Sequence, residues 1–207
     1  MKLSQYIDLH KGVTFLAILA LMAFYRQWDN PTAWVYLALH GTYGPLWVLK
    51  SRLFPDKNWE HRVSVWYGVL IAWGGLTLYW FPAWLVNAYG VQAPPWLPAL
   101  AISLFSFGVF FHFAADMQKY TQLKLQPDRL ITDGLFARVR NINYFGEFLI
   151  YFSFALLAVN WLAFIPLAIF IVFYWVPNMR RKERSLARYP EFTEYKRRTK
   201  WFIPYIF

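Results

Sequence analysis

The sequence predicts an all-α, polytopic integral membrane protein of about six transmembrane helices, ending in a tight helical hairpin and a cytoplasmic amphipathic tail. Three observations lead there. Of 207 residues, 58% are hydrophobic and 22% aromatic. Several apolar runs are long enough to cross a hydrocarbon core of about 30 Å at 1.5 Å per helical residue. The formal charge of +10 gathers at the ends of those runs, as orientation signals do.

Taken in order, the runs fall at 12–26, 32–50, 63–81, 96–115, 147–159 and 161–177. Asp8 and His10 lead into the first run without a small-residue cleavage pattern, so the opening segment reads as a retained span. Gly41, Gly44 and Pro45 fall inside the second run, where they would loosen a helix and let backbone line a cavity. Between the third and fourth runs, Pro82, Pro94 and Pro95 frame an uncharged stretch, and Ala83 to Tyr89 reads as an interfacial half-helix. Asn160 and Trp161 join the last two runs as a hairpin. In the tail, Leu186, Tyr189, Phe192 and Tyr195 recur near an i, i+3 spacing, which predicts a helix over Ser185 to Lys200. The whole is expected to be one membrane domain over residues 1–207.

Lysine and arginine set the expected orientation. Lys2 and Lys11 precede or open the first span, and Lys50, Arg52, Lys57 and Arg62 lie between the second and third. Fourteen of the 21 basic residues follow Met117, in the connector from Asp116 to Arg140 and in the tail after Pro177, while the segment 82–95 carries no charge. Both termini should therefore face the cytoplasm, an arrangement that fits a bacterial inner membrane. Cysteine is absent, which excludes disulfides, thiolate metal sites and a cysteine nucleophile. The basic residues flank apolar runs and so point to membrane lipids and not to nucleic acid. No obligate protein partner is evident, and a metal has thin support from one histidine and two separated acids.

Chemistry concentrates in Arg138-Val139-Arg140-Asn141-Ile142-Asn143-Tyr144-Phe145-Gly146-Glu147. Two guanidiniums, two amides and a carboxylate stand there at the mouth of an apolar hairpin. Ionisable groups at membrane depth cost roughly 2.5–3.5 kcal/mol on insertion scales, and they are usually kept for a ligand, an ion or a partner side chain. The plainer reading of the arginines is anchoring at the headgroups. His112 and Asp116, four residues apart, share one helix face and together suit a cofactor amide or ribose; the plainer role for Asp116 is a helix-end charge meeting Lys119 or Lys124. The tail interleaves its charges with Tyr189, Phe192, Tyr195, Trp201, Phe202 and Tyr205, rings that stack on an adenine or fold back on the bilayer.

Four segments in order, Asp116-Met117-Gln118-Lys119, Gly134-Leu135-Phe136, Arg140 to Glu147, and Tyr195 to Thr199 with Phe202 to Phe207, resemble the C-terminal half of the steroid 5α-reductase and sterol reductase superfamily. Isoprenylcysteine carboxyl methyltransferases are relatives of that superfamily. Its usual signature reads R-H-P-N-Y-x-G-E/D, and this chain departs from it with Asn141 for His and Ile142 for Pro. The resemblance covers about residues 112–207 and implies that they form the cofactor-binding half, with residues 1–111 on the substrate side. It implies a membrane-embedded pocket for NADPH or S-adenosylmethionine, open to the cytoplasm, with a lipid-like substrate arriving from the bilayer.

By that resemblance Asn143, Tyr144 and Glu147 would orient the nicotinamide and ribose, Arg129, Arg138, Arg140, Arg197 and Arg198 would hold phosphates, and His112, Asp116, Gln118, Lys119 and Tyr195 would complete the cofactor site. Gln118-Lys119 and the ending Phe202 to Phe207 look more like the reductases. The count of cations agrees, since NADPH carries a pyrophosphate and a 2′-phosphate, whereas S-adenosylmethionine is a sulfonium zwitterion. No glycine-rich nucleotide fingerprint is present. The expected activity is NADPH-dependent reduction of a C=C bond in a lipid-like or steroid-like enone. An S-adenosylmethionine-dependent methyltransferase acting on a prenyl-cysteine or lipid is the alternative, and a non-catalytic membrane scaffold is the third reading. The acid that polarises the substrate oxygen is sought in the front half, at His40 or Tyr43, with Tyr67, Tyr79 and His112 also available and Glu147 as a further catalytic candidate.

Overall fold

The structure is a computed structural model that describes residues 1–206. It is all-α, with no strand among the described residues. Helix α1 spans Leu3–Phe24, and α2 runs over 31–53. The next long helices are α3 (Tyr67–Ala88), α4 (Trp96–Leu125), α5 (Ile142–Leu157) and α6 (Trp161–Leu186), and the short α7 (Phe192–Arg198) closes the tail. Among the described residues α1, α3, α4 and α6 are each long and apolar enough to cross a bilayer, and α5 is a shorter apolar helix. The chain is a polytopic membrane protein.

Ends and breaks follow local chemistry. The Asn30 side chain accepts from the amides of Thr32 and Ala33 at 3.0 and 3.3 Å, and Pro31 occupies the first turn, where its missing N–H costs nothing. Two wide π turns, Leu37–Gly41 in α2 and Ile171–Trp175 in α6, contain the residue four before Pro45 and Pro177. A proline gives that carbonyl no hydrogen bond and presses its ring against it. A wider turn keeps the helix going past the ring. In α3, a 3₁₀ turn at Leu78–Trp80 leads into Phe81–Ala88 with Pro82 in the first turn. The expected interfacial half-helix is therefore the last stretch of α3 and not a separate element.

Three expected boundaries move. Helix α4 continues past 115 to Leu125, because Asp116, Gln118, Lys119 and Lys124 end the hydropathy and not the helix; Pro127 follows its end. Helix α5 starts at Ile142, five residues before the apolar run, so Asn143 and Glu147 lie one turn apart on a helix face and not in a loop. The expected tail helix over Ser185 to Lys200 is interrupted at 187–191, where Pro190 withholds an amide. Its apolar face still forms. Leu130, Phe192 and Tyr195 are buried together, with Leu186 and Tyr189 packed on them.

The chain divides into two compact units: Met1–Phe105 with Tyr151–Leu167, and Ser106–Ile150 with the chain from Ala168 onward. In the first unit, Gly44 lets α2 pass so close to α1 that a Cβ there would collide with the Lys11 carbonyl oxygen. The buried core around this crossing includes Tyr36, Tyr43, Ile18 and Phe154. In the second unit α4 and α5 cross where both are smallest. A Cβ on Gly108 would stand 2.8 Å from the Gly146 carbonyl oxygen and 2.9 Å from the Ile150 nitrogen, and one on Gly146 would strike the His112 backbone. Below that crossing Ala115, Phe136, Val139 and Ile142 form a buried cluster with Phe111, Ile131, Leu135 and Phe145 around it.

Candidate functional site

The Gly108–Gly146 crossing brings four of the expected residues together in the second unit. His112 Nδ1 lies 3.0 Å from the Asn143 carbonyl oxygen, Asn143 Nδ2 donates to Asp116 Oδ1 at 3.2 Å, and His112 Nε2 stands 4.0 Å from Asp116 Oδ2. Asn143 Oδ1 is buried with no hydrogen-bond partner. A buried amide oxygen left so is costly, and it marks a place where a donor is wanted. Glu147 follows Asn143 by four residues on α5 and is half-buried. This face therefore presents acceptors: an amide oxygen and two carboxylates. Beside them Tyr144 meets the buried Trp175 edge to face at 5.9 Å.

Arg140 has a different role from the expected one. Only 5% exposed, it donates from Nε to Glu183 Oε1 at 2.7 Å, and from Nη1 to the Thr199 carbonyl at 2.7 Å, the Thr199 hydroxyl at 2.9 Å and the Lys196 carbonyl at 3.2 Å. A guanidinium so engaged is a clamp on the tail and has little left for a phosphate. Backbone pairing reinforces the clamp, since the Arg140 amide donates to the Lys200 carbonyl at 2.9 Å and the Lys200 amide to the Arg138 carbonyl at 2.8 Å. Asn141, which stands where the signature has His, belongs to the same structure: its Nδ2 donates to the Trp201 carbonyl at 2.9 Å, and its Oδ1 accepts from Lys182 at 3.2 Å. The departure from the signature thus serves the tail clamp.

Gln118 is also absorbed by the fold. Its Nε2 donates to the Asp133 carbonyl at 3.0 Å and its Oε1 accepts the Leu135 amide at 3.0 Å, bracketing Gly134, whose φ of +54° suits glycine. Tyr195 is buried, and its hydroxyl donates to the Phe136 carbonyl at 2.8 Å; burial pushes its phenol up to about 12. Its ring packs in the tail core and is not displayed for stacking on a base.

The other expected cations remain outward. Arg129, Arg138, Arg197 and Arg198 are exposed; Arg129 reaches Gln126 at 2.7 Å, Arg197 pairs with Glu194 at 2.9 Å, and Arg198 lies over the Tyr195 ring at 5.9 Å. Lys119 is half-buried. Sequence reasoning missed Lys182, which donates to the Arg140 carbonyl at 2.6 Å and sits in the field of Lys119, Asp116, Glu183 and Arg140. It also missed Glu183, which holds both Arg140 and Lys196, the latter at 3.3 Å. No spacing rule links residue 140 to 183.

His40 and Tyr43 belong to the first unit. His40 is 2% exposed, its Nδ1 is 3.0 Å from the Tyr36 hydroxyl, and its ring stacks on Phe154 with centroids 4.3 Å apart. Those contacts are those of a packed core histidine. Tyr43 is fully buried and sits under the Lys11 ammonium at 4.8 Å.

A profile of a family described as "Protein of unknown function (DUF1295)" matches residues 57–199. The match takes in α3 to α6 and α7 up to its end, with every residue of the acceptor face and with Arg140, Asn141, Lys182, Glu183 and Thr199 of the clamp. No curated protein matches the chain.

Proposed function

The chain belongs to the DUF1295 family, and we propose that it is a membrane-embedded, NADPH-dependent reductase of an enone in a lipid-like substrate, a relative of the steroid 5α-reductases. The observation that carries this reading is the half-buried acceptor face on α4 and α5, where Asn143 Oδ1 lacks a donor beside Asp116. The ribose hydroxyls and carboxamide of a nicotinamide nucleotide are donors of the kind that face wants. When bound, NADPH supplies hydride to the electron-poor carbon of the substrate.

The chain's own residues do the rest by binding and orienting. Asn143, Asp116 and Glu147 accept from the nucleoside end, and Tyr144 is held by Trp175 at the same helix start. His112 fixes the Asn143 carbonyl, so it positions the face. Arg129, Arg138, Arg197 and Arg198 remain for the phosphates once Arg140 is set aside, and exposed forks suit phosphate oxygens. The same arginines support a reading in which this end faces the cytoplasm of a bacterial-type inner membrane.

A second reading has a specific support. The α-ammonium of S-adenosylmethionine is also a donor, and three acceptors suit it as well as they suit a ribose, so methyl transfer to a lipid-borne nucleophile uses the same face. Calorimetry on detergent-purified protein separates the readings. Saturable heat with NADPH and none with S-adenosylmethionine is the expected result, and Asn143→Ala or Glu147→Gln weakens it tenfold or more, about 1.4 kcal/mol, without lowering the melting temperature. Heat with S-adenosylmethionine alone transfers the site to the methyltransferase; heat with neither leaves the scaffold.

A further inference from the structure

Lys11 is an ammonium placed in the middle of an apolar helix, and it is 4% exposed. It donates to the Tyr151 hydroxyl, and four rings surround it: Tyr43 at 4.8 Å, Tyr151 at 4.9 Å, Trp47 at 5.0 Å and Tyr79 at 5.7 Å. Tyr151 stacks on Tyr79 with centroids 3.7 Å apart, and Tyr43 meets Tyr151 edge to face at 5.9 Å. All of these groups lie in the first unit. None takes part in the acceptor face described above.

Packing alone does not call for a lysine here. Methionine or leucine would fill the same cage without desolvating a charge, and rings attract a cation but do not demand one. The surroundings hold the ammonium in place. Gly44 lets the α2 backbone press on the Lys11 carbonyl, so the residue cannot shift along α1. Tyr43 follows the π turn Leu37–Gly41, and Tyr79 comes after another, Tyr67–Trp73 in α3. Single-turn π widenings recur at functional sites, because they re-aim the side chains that follow. An ammonium that donates to a phenol also makes that phenol a stronger donor. Lys11 and Tyr151 together make a preorganised pair of donors in a water-poor, ring-lined setting, the arrangement that polarises a carbonyl oxygen.

We propose that Lys11 and Tyr151 form a recognition site for the carbonyl oxygen of an apolar ligand, with Tyr43, Trp47 and Tyr79 packing its hydrocarbon. Choosing an enone as the ligand rests on the reductase reading; the polarised oxygen does not. The probe is a long-chain alkyl cyclohexenone, isotope-labelled at the carbonyl carbon, bound to detergent-purified full-length protein without nucleotide. Infrared difference spectra should show the carbonyl stretch lowered on binding. Lys11→Met should remove that lowering and weaken binding about tenfold or more, with helicity by circular dichroism unchanged; Tyr151→Phe should reduce it in part. A stretch at its free-detergent position in the wild type, or a lowered stretch that survives Lys11→Met, overturns the site. Because no nucleotide is present, a failed NADPH titration leaves this result standing, and a failed carbonyl shift leaves the NADPH titration standing.

Discussion

Replacing Arg140 with methionine should free the tail from the connector. The guanidinium is 5% exposed and makes one ion pair at 2.7 Å with Glu183 and two hydrogen bonds to Thr199 at 2.7 and 2.9 Å. Breaking a buried pair by removing one partner costs about 3–5 kcal/mol, mostly because the other charge is stranded. Glu183 is not wholly stranded here: its side chain keeps 17% exposure and has Lys196 at 3.3 Å. The cost should therefore fall near the lower end, about 3 kcal/mol. For a chain of this length that is a loss of about 6–12 °C in melting temperature. Hydrogen exchange should rise at the amides of Arg140 and Lys200, whose bonds join connector to tail. Adding Glu183→Met should recover part of the loss, because two apolar groups strand no charge. A melting temperature within about 2 °C of wild type, with exchange at Lys200 unchanged, would refute the clamp.

Two further outcomes follow from the same geometry. Gly146→Ala should cost about 1–3 kcal/mol by overpacking the α4–α5 crossing, since its Cβ meets rigid backbone of His112 and Gly108, whereas Gly75→Ala, with nothing within 4 Å, should be neutral or stabilising by about 0.5–1 kcal/mol. Thermal melts of the two variants side by side test this, and equal losses would sink it. Raising the pH should loosen the tail through Tyr195, whose phenol is pushed up to about 12, chiefly by burial. A raised value means the folded state holds the proton more tightly, so the contribution is complete below the unfolded value of about 10 and is lost as pH climbs from there toward 12. Tyr195→Phe should lower stability by about 1 kcal/mol at neutral pH and flatten that alkaline slope; parallel melting curves against pH in the two proteins would contradict it.

The helices were legible because hydropathy and helix length obey one constraint, the thickness of the hydrocarbon core. The membrane assignment rests on this, and α1, α3, α4 and α6 satisfy it. What misled was the use of polarity to end helices. Asn143 lies ahead of the apolar run that begins at 147, yet it is helical, and only that placement lets the Gly108–Gly146 approach join it to Asp116. The small residues that permit the approach carry no chemistry of their own and so did not attract notice. Charge was misread in the opposite direction. Arg140 was counted among the phosphate-binding cations and Lys182 was passed over, but each is committed to carbonyls of its own chain. Sequence shows where charge is and not which acceptors the fold brings within 3 Å of it, and those acceptors lie 42 or more residues away.

The same asymmetry governs the two polar sites. A cation clamp such as Arg140 satisfies itself: donors and acceptors both come from the chain, and the geometry closes at 2.7 Å. The α4–α5 face does not close in this way, because an amide oxygen and two carboxylates present acceptors there and Asn143 Oδ1 is left without a donor. A buried acceptor without a donor is destabilising by roughly 1–3 kcal/mol; replacing Asn143 by leucine removes that cost but also removes the 3.2 Å bond to Asp116, so the two changes offset. Asn143→Leu therefore tests purpose as well as structure. It should leave the melting temperature within about 2 °C of wild type while abolishing nucleotide binding, and a variant that is as stable and still binds NADPH would show that the asparagine serves neither packing nor ligand.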